Sequence, residues 1–179
     1  MVLEKKESKV SHGRGWEDAK TIPVLAWMEK YTVEFFNQPE LRNNKDVFAK
    51  WHTADTVHQN SDGSVYTGLD ACFTAIQQIY APFAAFVHEP RFWTVWEVDG
   101  GFEMVGQAVM YADLPVPGGE KAHEDMNGKK WDLALQGMFH FWYSSDPSGN
   151  DGFKMKRSEV YSDTFPAVQE MMKRGMVPS

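Results

Sequence analysis

Apolar residues recur along the chain at two different periods, and the point where the period changes divides it. Val24, Trp27, Met28, Tyr31 and Phe35 fall every three or four positions, one face of an amphipathic helix capped by Thr21 with Pro23 in its first turn. Asn37-Gln38-Pro39 ends that helix, because proline has no amide hydrogen to continue the ladder. A short helical piece over 41–51 leads into Asp55-Thr56-Val57-His58-Gln59-Asn60 and the turn Ser61-Asp62-Gly63-Ser64, which predicts strand, tight turn and strand. Leu69, Cys72, Phe73, Ile76, Ile79, Tyr80 and Phe83 then restore the helical spacing over a second long helix that ends near Pro82.

Beyond Phe83 the period becomes two. Segments 87–98, 102–113, 131–143 and 153–161 read as strands, with a hairpin at Gly100-Gly101. A last helix runs from Thr164, with Pro166 in its first turn, to Lys173-Arg174, and Gly175 follows as a C-terminal cap. Residues 113–130 carry Pro115, Pro117, Gly118, Gly119 and Gly128 among charges, so a long surface loop is expected there, able to fold over an opening as a lid. Residues 1–20 are polar and glycine-punctuated and read as a flexible arm, which leaves 21–175 as a single domain. Helices followed by a mainly antiparallel sheet define the α+β class.

Strand parity predicts which side chains turn inward. Along 131–143, Leu133, Leu135, Gly137, Phe139 and Phe141 share one face, while Met138, His140 and Trp142 share the other. Along 102–113 the sets are Val105, Gln107, Val109 and Tyr111 against Met104, Gly106, Ala108, Met110 and Ala112. Taking the first set of each strand as inward leaves Met104, Met110, Met138 and Trp142 as an apolar outer face, a surface suited to self-association.

Composition narrows the function classes. Of 179 residues, 18 are Lys or Arg and 25 are Asp or Glu, a net charge of −7 that repels phosphate backbones, so no nucleic-acid partner is expected. No apolar run is long enough to span a membrane, and the lone Cys72 with no apolar leader points to a reducing, cytoplasmic setting. The six histidines lack His-x-His or His-Glu-x-x-His spacing, and no glycine-rich phosphate cradle occurs, so neither metal nor nucleotide cofactor is expected. Twelve Phe, seven Trp and six Tyr supply flat apolar walls for a small molecule.

The order of elements, the stretch Ala54-Asp55-Thr56-Val57-His58-Gln59-Asn60 … Tyr66-Thr67-Gly68 and the closing Lys154-Met155-Lys156-Arg157-Ser158-Glu159-Val160-Tyr161 resemble the nuclear transport factor 2-like superfamily, within it the SnoaL-like polyketide cyclase branch. The resemblance implies a cone-shaped α+β barrel, a curved sheet wrapped around the N-terminal helices and enclosing an apolar pocket. Similarity to limonene epoxide hydrolases implies that His58 and Asn60 face that pocket. Their catalytic arginine and two aspartates fall instead on Gln107, Val109 and Val160. Similarity to scytalone dehydratase places His88 near a catalytic histidine, while its partner positions fall on Phe35-Phe36, Gly137 and Phe139.

The candidate catalytic residues are therefore His58 and His88, two imidazoles able to move a proton in a cyclisation, isomerisation or dehydration without a cofactor. The candidate substrate wall is Trp27, Tyr31, Phe35, Asn60, Gln107, Val109, Tyr111, Leu133, Leu135, Phe139, Phe141 and Val160. A hydrophobic, aromatic or polycyclic secondary metabolite suits such a wall. The competing reading is a non-catalytic small-molecule-binding or assembly protein of the same fold, in which the histidines only satisfy core hydrogen bonds. The expected homodimer through the outer sheet face is checked by light scattering at micromolar concentration, where a monomer overturns it.

Overall fold

The computed structural model describes residues 7–12, 15–16 and 21–177. Helix α1 (Pro23–Lys30) continues as a π-helical turn over Tyr31–Phe36, with Val24, Leu25, Trp27, Met28, Tyr31 and Phe35 buried. Two short helices follow, α2 (Pro39–Arg42) and α3 (Lys45–Trp51), the second capped by Asn44, whose Oδ1 accepts the amides of Asp46 and Val47. Strands β2 (His52–Gln59) and β3 (Val65–Thr67) precede α4 (Leu69–Tyr80). The rest is β4 (Ala85–Val98), β5 (Gly101–Asp113), the small hairpin β6 (His123–Glu124) and β7 (Lys130–Trp131), then β8 (Leu133–Asn150), β9 (Phe153–Ser162) and α5 (Phe165–Lys173). Strand β1 (Ser8–His12) pairs antiparallel with β4, so part of the expected arm is an edge strand; residues 1–6, 13–14 and 17–20 of that arm lie outside the described residues.

One seven-stranded sheet has the order β1-β4-β5-β8-β9-β2-β3. Strand β2 runs parallel to β9, and the other neighbours are antiparallel. The α+β class and the curved, mainly antiparallel sheet agree with the sequence reading, and the sheet is unclosed, with β1 and β3 at its edges. No helix among the described residues is long and apolar enough to cross a membrane.

Register decides which residues meet the helices. Met104 pairs with Val95 and with Phe141, and all three pack into or against the core that holds Trp27, Tyr31, Phe35, Phe48 and Trp51. At the other end Ala112 pairs with Phe86 and Leu133, and α5 covers that row and Leu135 with Ala167 and Met171. The inner set of β5 is thus Met104, Gly106, Ala108, Met110 and Ala112. The predicted parity of this strand is reversed: Val105, Gln107, Val109 and Tyr111 lie on the outer face, and Met104 and Met110 are inside. Glu103 and Asp113 share the parity of Gln107 and mark the outer side, a signal hidden by the apolar Val109 and Tyr111 between them.

Those two residues are buried from outside. Trp131 packs on Val109 and Tyr111, and its indole N–H donates to Asp125 Oδ2 at 2.9 Å. Asp125 Oδ1 also accepts the amides of Asn127 and Lys129, while Met126 N–H donates to Glu89 Oε2 on the outer face of β4. Residues 125–131 therefore fold against the back of the sheet, whereas Leu114 and the Val116 carbonyl at the start of the segment lie against α5. Of the expected apolar outer patch, Met138, at 41% exposure, and the half-buried Trp142 remain on that side.

An ion pair holds helix α5 to the sheet. Arg174 Nη1 lies 3.0 Å from Asp132 Oδ2 with both side chains 6% exposed, and the same guanidinium reaches Glu170 and the Val116 carbonyl. The pair is covered but shallow, so water screens part of it and the low end of a buried-pair cost applies. Arg174→Met is expected to lower the unfolding free energy in urea by about 2–3 kcal/mol, with Asp132→Asn recovering part of the loss.

Candidate functional site

Strand β2 delivers two histidines to the inner face, and a register shift between His52 and Val57 separates them. His52 is 3% exposed and stacks on Phe48 at 3.7 Å. Its Nδ1–H donates to the Phe48 carbonyl at 2.9 Å, which leaves Nε2 to accept from the Tyr31 hydroxyl at 3.2 Å. Burial pushes its pKa down to about 3, the Phe48 carbonyl opposing and the nearby His58 assisting. It is a core residue, and α3 running straight into β2 is what turns it inward.

His58 differs in having one nitrogen left over. Its Nδ1 shares a 2.8 Å hydrogen bond with Ser158 Oγ on β9, while Nε2 is buried without a partner among the described residues. The Asn60 side chain is close enough to raise the imidazole pKa slightly, yet Asn60 Oδ1 is itself buried and unpartnered, so the two groups are neighbours without a well-aligned bond. Burial outweighs Asn60 and lowers the His58 pKa below its ordinary value, which keeps the ring neutral at pH 7. Leaving such a pair unmet costs about 1–3 kcal/mol per group, so the pair is a ready receptor for a hydroxyl or a water.

Ser158 belongs to the row of Phe141 and Met104, and the next inner residue of β9, Val160, pairs with Phe139. Beyond it the row Pro90, Ala108, Gly137 and Ser162 carries only small side chains. The flanking Met110, Phe139, Phe141 and Val160 are only half-buried. The structure thus brings together His58, Asn60, Phe139, Phe141 and Val160 of the expected site, and adds Ser158. Its signal in the sequence is parity with Val160 two residues on. Trp27, Tyr31 and Phe35 are sealed in the aromatic core, Leu133 and Leu135 lie under α5, and Gln107, Val109 and Tyr111 face the other way, Gln107 bonding to Gln136.

His88 stands apart. It occupies the row of Met110 and Leu135, six residues from the row of His58 along β8, or roughly 20 Å of strand. Both ring nitrogens are engaged: Nδ1–H donates to Asn37 Oδ1 at 3.1 Å and Nε2 accepts from the Tyr80 hydroxyl at 3.3 Å. Phe36, Tyr80 and Phe86 surround the ring. Burial, helped by the Arg42 guanidinium, pushes its pKa down to about 4, and burial raises the Tyr80 phenol far above its usual value. The two candidate catalytic histidines share no partner, so they cannot exchange a proton across one small substrate. Among the described residues no three His, Cys, Asp or Glu side chains are grouped to hold a metal ion.

No family model matches the sequence, and no curated protein does. Solved structures do match. Aln2 from a Streptomyces species superposes with a TM-score of 0.60 at 13% identity, over 86% of this chain and 97% of that one. A protein assigned as a SnoaL-like polyketide cyclase from a Jannaschia species gives 0.56 at 13%, over 91% and 97%. The type-3 LinA hexachlorocyclohexane dehydrochlorinase from Novosphingobium barchaimii gives 0.51 at 11%, over 79% and 89%. The chain has the SnoaL-like, nuclear transport factor 2-like fold.

The buried neutral His52 sets a pH dependence. Its folded pKa lies below the unfolded value near 6.5, so the unfolded chain binds the extra proton and stability falls as pH drops from about 6.5 towards 3, by up to about 1.4 kcal/mol per pH unit. The non-titrating His52→Gln is expected to show a shallower fall than the wild type between pH 6 and 4 in urea unfolding. Parallel curves for the two proteins would refute the assignment.

Proposed function

We propose that the chain is a cofactor-independent enzyme that converts a hydrophobic, aromatic or polycyclic small molecule by proton transfer, as a cyclase, isomerase or dehydratase of the SnoaL-like kind. The observation that carries this reading is the buried, unpartnered Nε2 of His58 with Nδ1 held by Ser158. With Nδ1–H donating to Ser158, Nε2 presents its lone pair as a general base, the arrangement in which a third group fixes a base's orientation. Asn60 Oδ1 beside it accepts from a substrate hydroxyl or from the imidazolium once the proton has moved. Phe139, Phe141 and Val160 provide the apolar wall beside the small-residue row of Ala108 and Gly137. The low pKa of His58 matches a base that releases its proton again to the product. His88, with both nitrogens taken, orients Tyr80 and takes no part in this step.

The structural neighbours support a small-molecule-converting protein of this fold, one of them a dehydrochlorinase and another assigned as a polyketide cyclase. The absence of an acidic group among the inner residues named here favours the second reading, a binder that keeps its ligand unchanged. For self-association we retain the outer face around Met138 and Trp142, reduced by the inward turn of Met104 and Met110.

The test follows every mass after purified protein is incubated with a small-molecule extract of the source organism. Conversion of one compound by the wild type, slowed about 10²–10⁴-fold by a folded His58→Ala and little by His88→Phe, is the expected result. Equal turnover by His58→Ala refutes the base, and retention of an unchanged compound at one per protomer makes the protein a binder.

A further inference from the structure

A second feature lies outside the His58 site. A cleft of about 360 Å³ opens between α2, the C-terminal end of α4 and the start of β4, with Pro39, Arg42, Gln77, Tyr80, Phe83 and Phe86 among its lining. Arg42 is only 6% exposed, an unusual burial for a guanidinium. Its Nη1 donates to the Phe36 carbonyl at 3.0 Å, and its Cζ lies 4.3 Å from the centroid of the Phe86 ring and 5.8 Å from that of Tyr80. Among the described residues no carboxylate comes within the 4.0 Å of an ion pair to it. Nε is buried without a partner, and no hydrogen bond is formed by Nη2 within the described residues.

The pattern of what is used and what is free is specific. In a guanidinium, Nε–H and the Nη2 hydrogens point the same way and form the fork that grips a carboxylate with two parallel bonds. Here Nη1 is spent on a carbonyl and two aromatic rings hold the plane, while that fork is idle. A buried cation is retained at high desolvation cost unless an anion meets it; Glu40 acts on Arg42 from a distance, but among the described residues no carboxylate forms an ion pair with it. The other residues lining the cleft, Phe83, Phe86, Pro39 and the ring of Tyr80, are flat and apolar, and Gln77, whose amide is anchored on the Arg42 carbonyl, adds a polar edge.

We propose that this cleft is a binding site for an aromatic carboxylate, its carboxylate on the Nε–Nη2 fork of Arg42 and its ring against Phe83 and Phe86. The site is separate from His58 and does not depend on that residue being a base. It adjoins the other histidine, because Tyr80 lines the cleft and donates to His88. An anion on Arg42 would offset the positive charge that now helps to keep His88 neutral.

Benzoate and its neutral isostere benzamide are the probes, titrated into the full chain while the Gln77 side-chain amide is followed by NMR and the affinity by calorimetry. Benzoate is expected to bind saturably and shift Gln77, benzamide to bind at least about tenfold more weakly, and Arg42→Met to weaken benzoate by a similar factor. Arg42→Lys, which keeps the charge and loses the fork, serves the same purpose if the methionine variant does not fold, and is expected to bind several-fold more weakly than the wild type. Equal binding of benzamide, benzoate affinity in the variants within about twofold of the wild type, or no saturable shift up to about 10 mM benzoate overturns the proposal. None of these outcomes depends on turnover, so a failure here and a failure of the His58 mechanism are told apart.

Discussion

Trp131 lies on the outer face of β5 against Val109 and Tyr111, and this contact decides which parity of the strand is left for the helices. The indole N–H is fixed by Asp125, and Asp125 gathers the amides of its own turn, so the segment before β8 is folded onto the back of the sheet by a polar hub over an apolar contact. With Val109 and Tyr111 covered from behind, Met104 and Gly106 face α1. Gly106 is required there: a Cβ would fall 2.5 Å from both the Phe139 ring and the Phe92 carbonyl. Inner packing, the orientation of the aromatic core and the position of the small-residue row all follow from that choice of face.

The elements were largely legible because each was written in one clear period. Val24 to Phe35 and Leu69 to Tyr80 are helical where the spacing says so, and the strands fall near their expected limits except β8, which runs on from the expected 143 to Asn150. The facing of β5 was not legible, because a strand buried on both sides loses the alternation on which parity reasoning rests. The edge strand β1 was hidden for a related reason: an edge needs only one partner, and the polar Ser8 to His12 has no apolar stripe to announce it. In the candidate site, His58 and Asn60 were reached through the resemblance to limonene epoxide hydrolases. That Ser158 meets His58 was not legible, since the two stand a hundred residues apart across a parallel pairing that no local pattern encodes.

Three inner histidines share one condition and differ in what surrounds them. Burial keeps His52, His58 and His88 neutral, yet His52 and His88 have both nitrogens engaged and His58 has one to spare. What separates His58 from the other two is hydrogen-bond accounting, since the direction of the pKa shift is the same for all three. Arg42 is the cationic counterpart of that argument, a group whose unused donors point to something its described neighbours do not provide.

The parallel pairing of β2 with β9 has a consequence for how the protein is made. Ser158 reaches the ribosome exit about a hundred residues after His58, and β9 must dock before β2 is flanked on both sides. Until β9 is made, His58 lacks the Ser158 hydroxyl that fixes its Nδ1. A chain cut short before β9 lacks Ser158, and with it the hydrogen bond that orients the His58 imidazole, so the oriented ring is a property of the finished molecule.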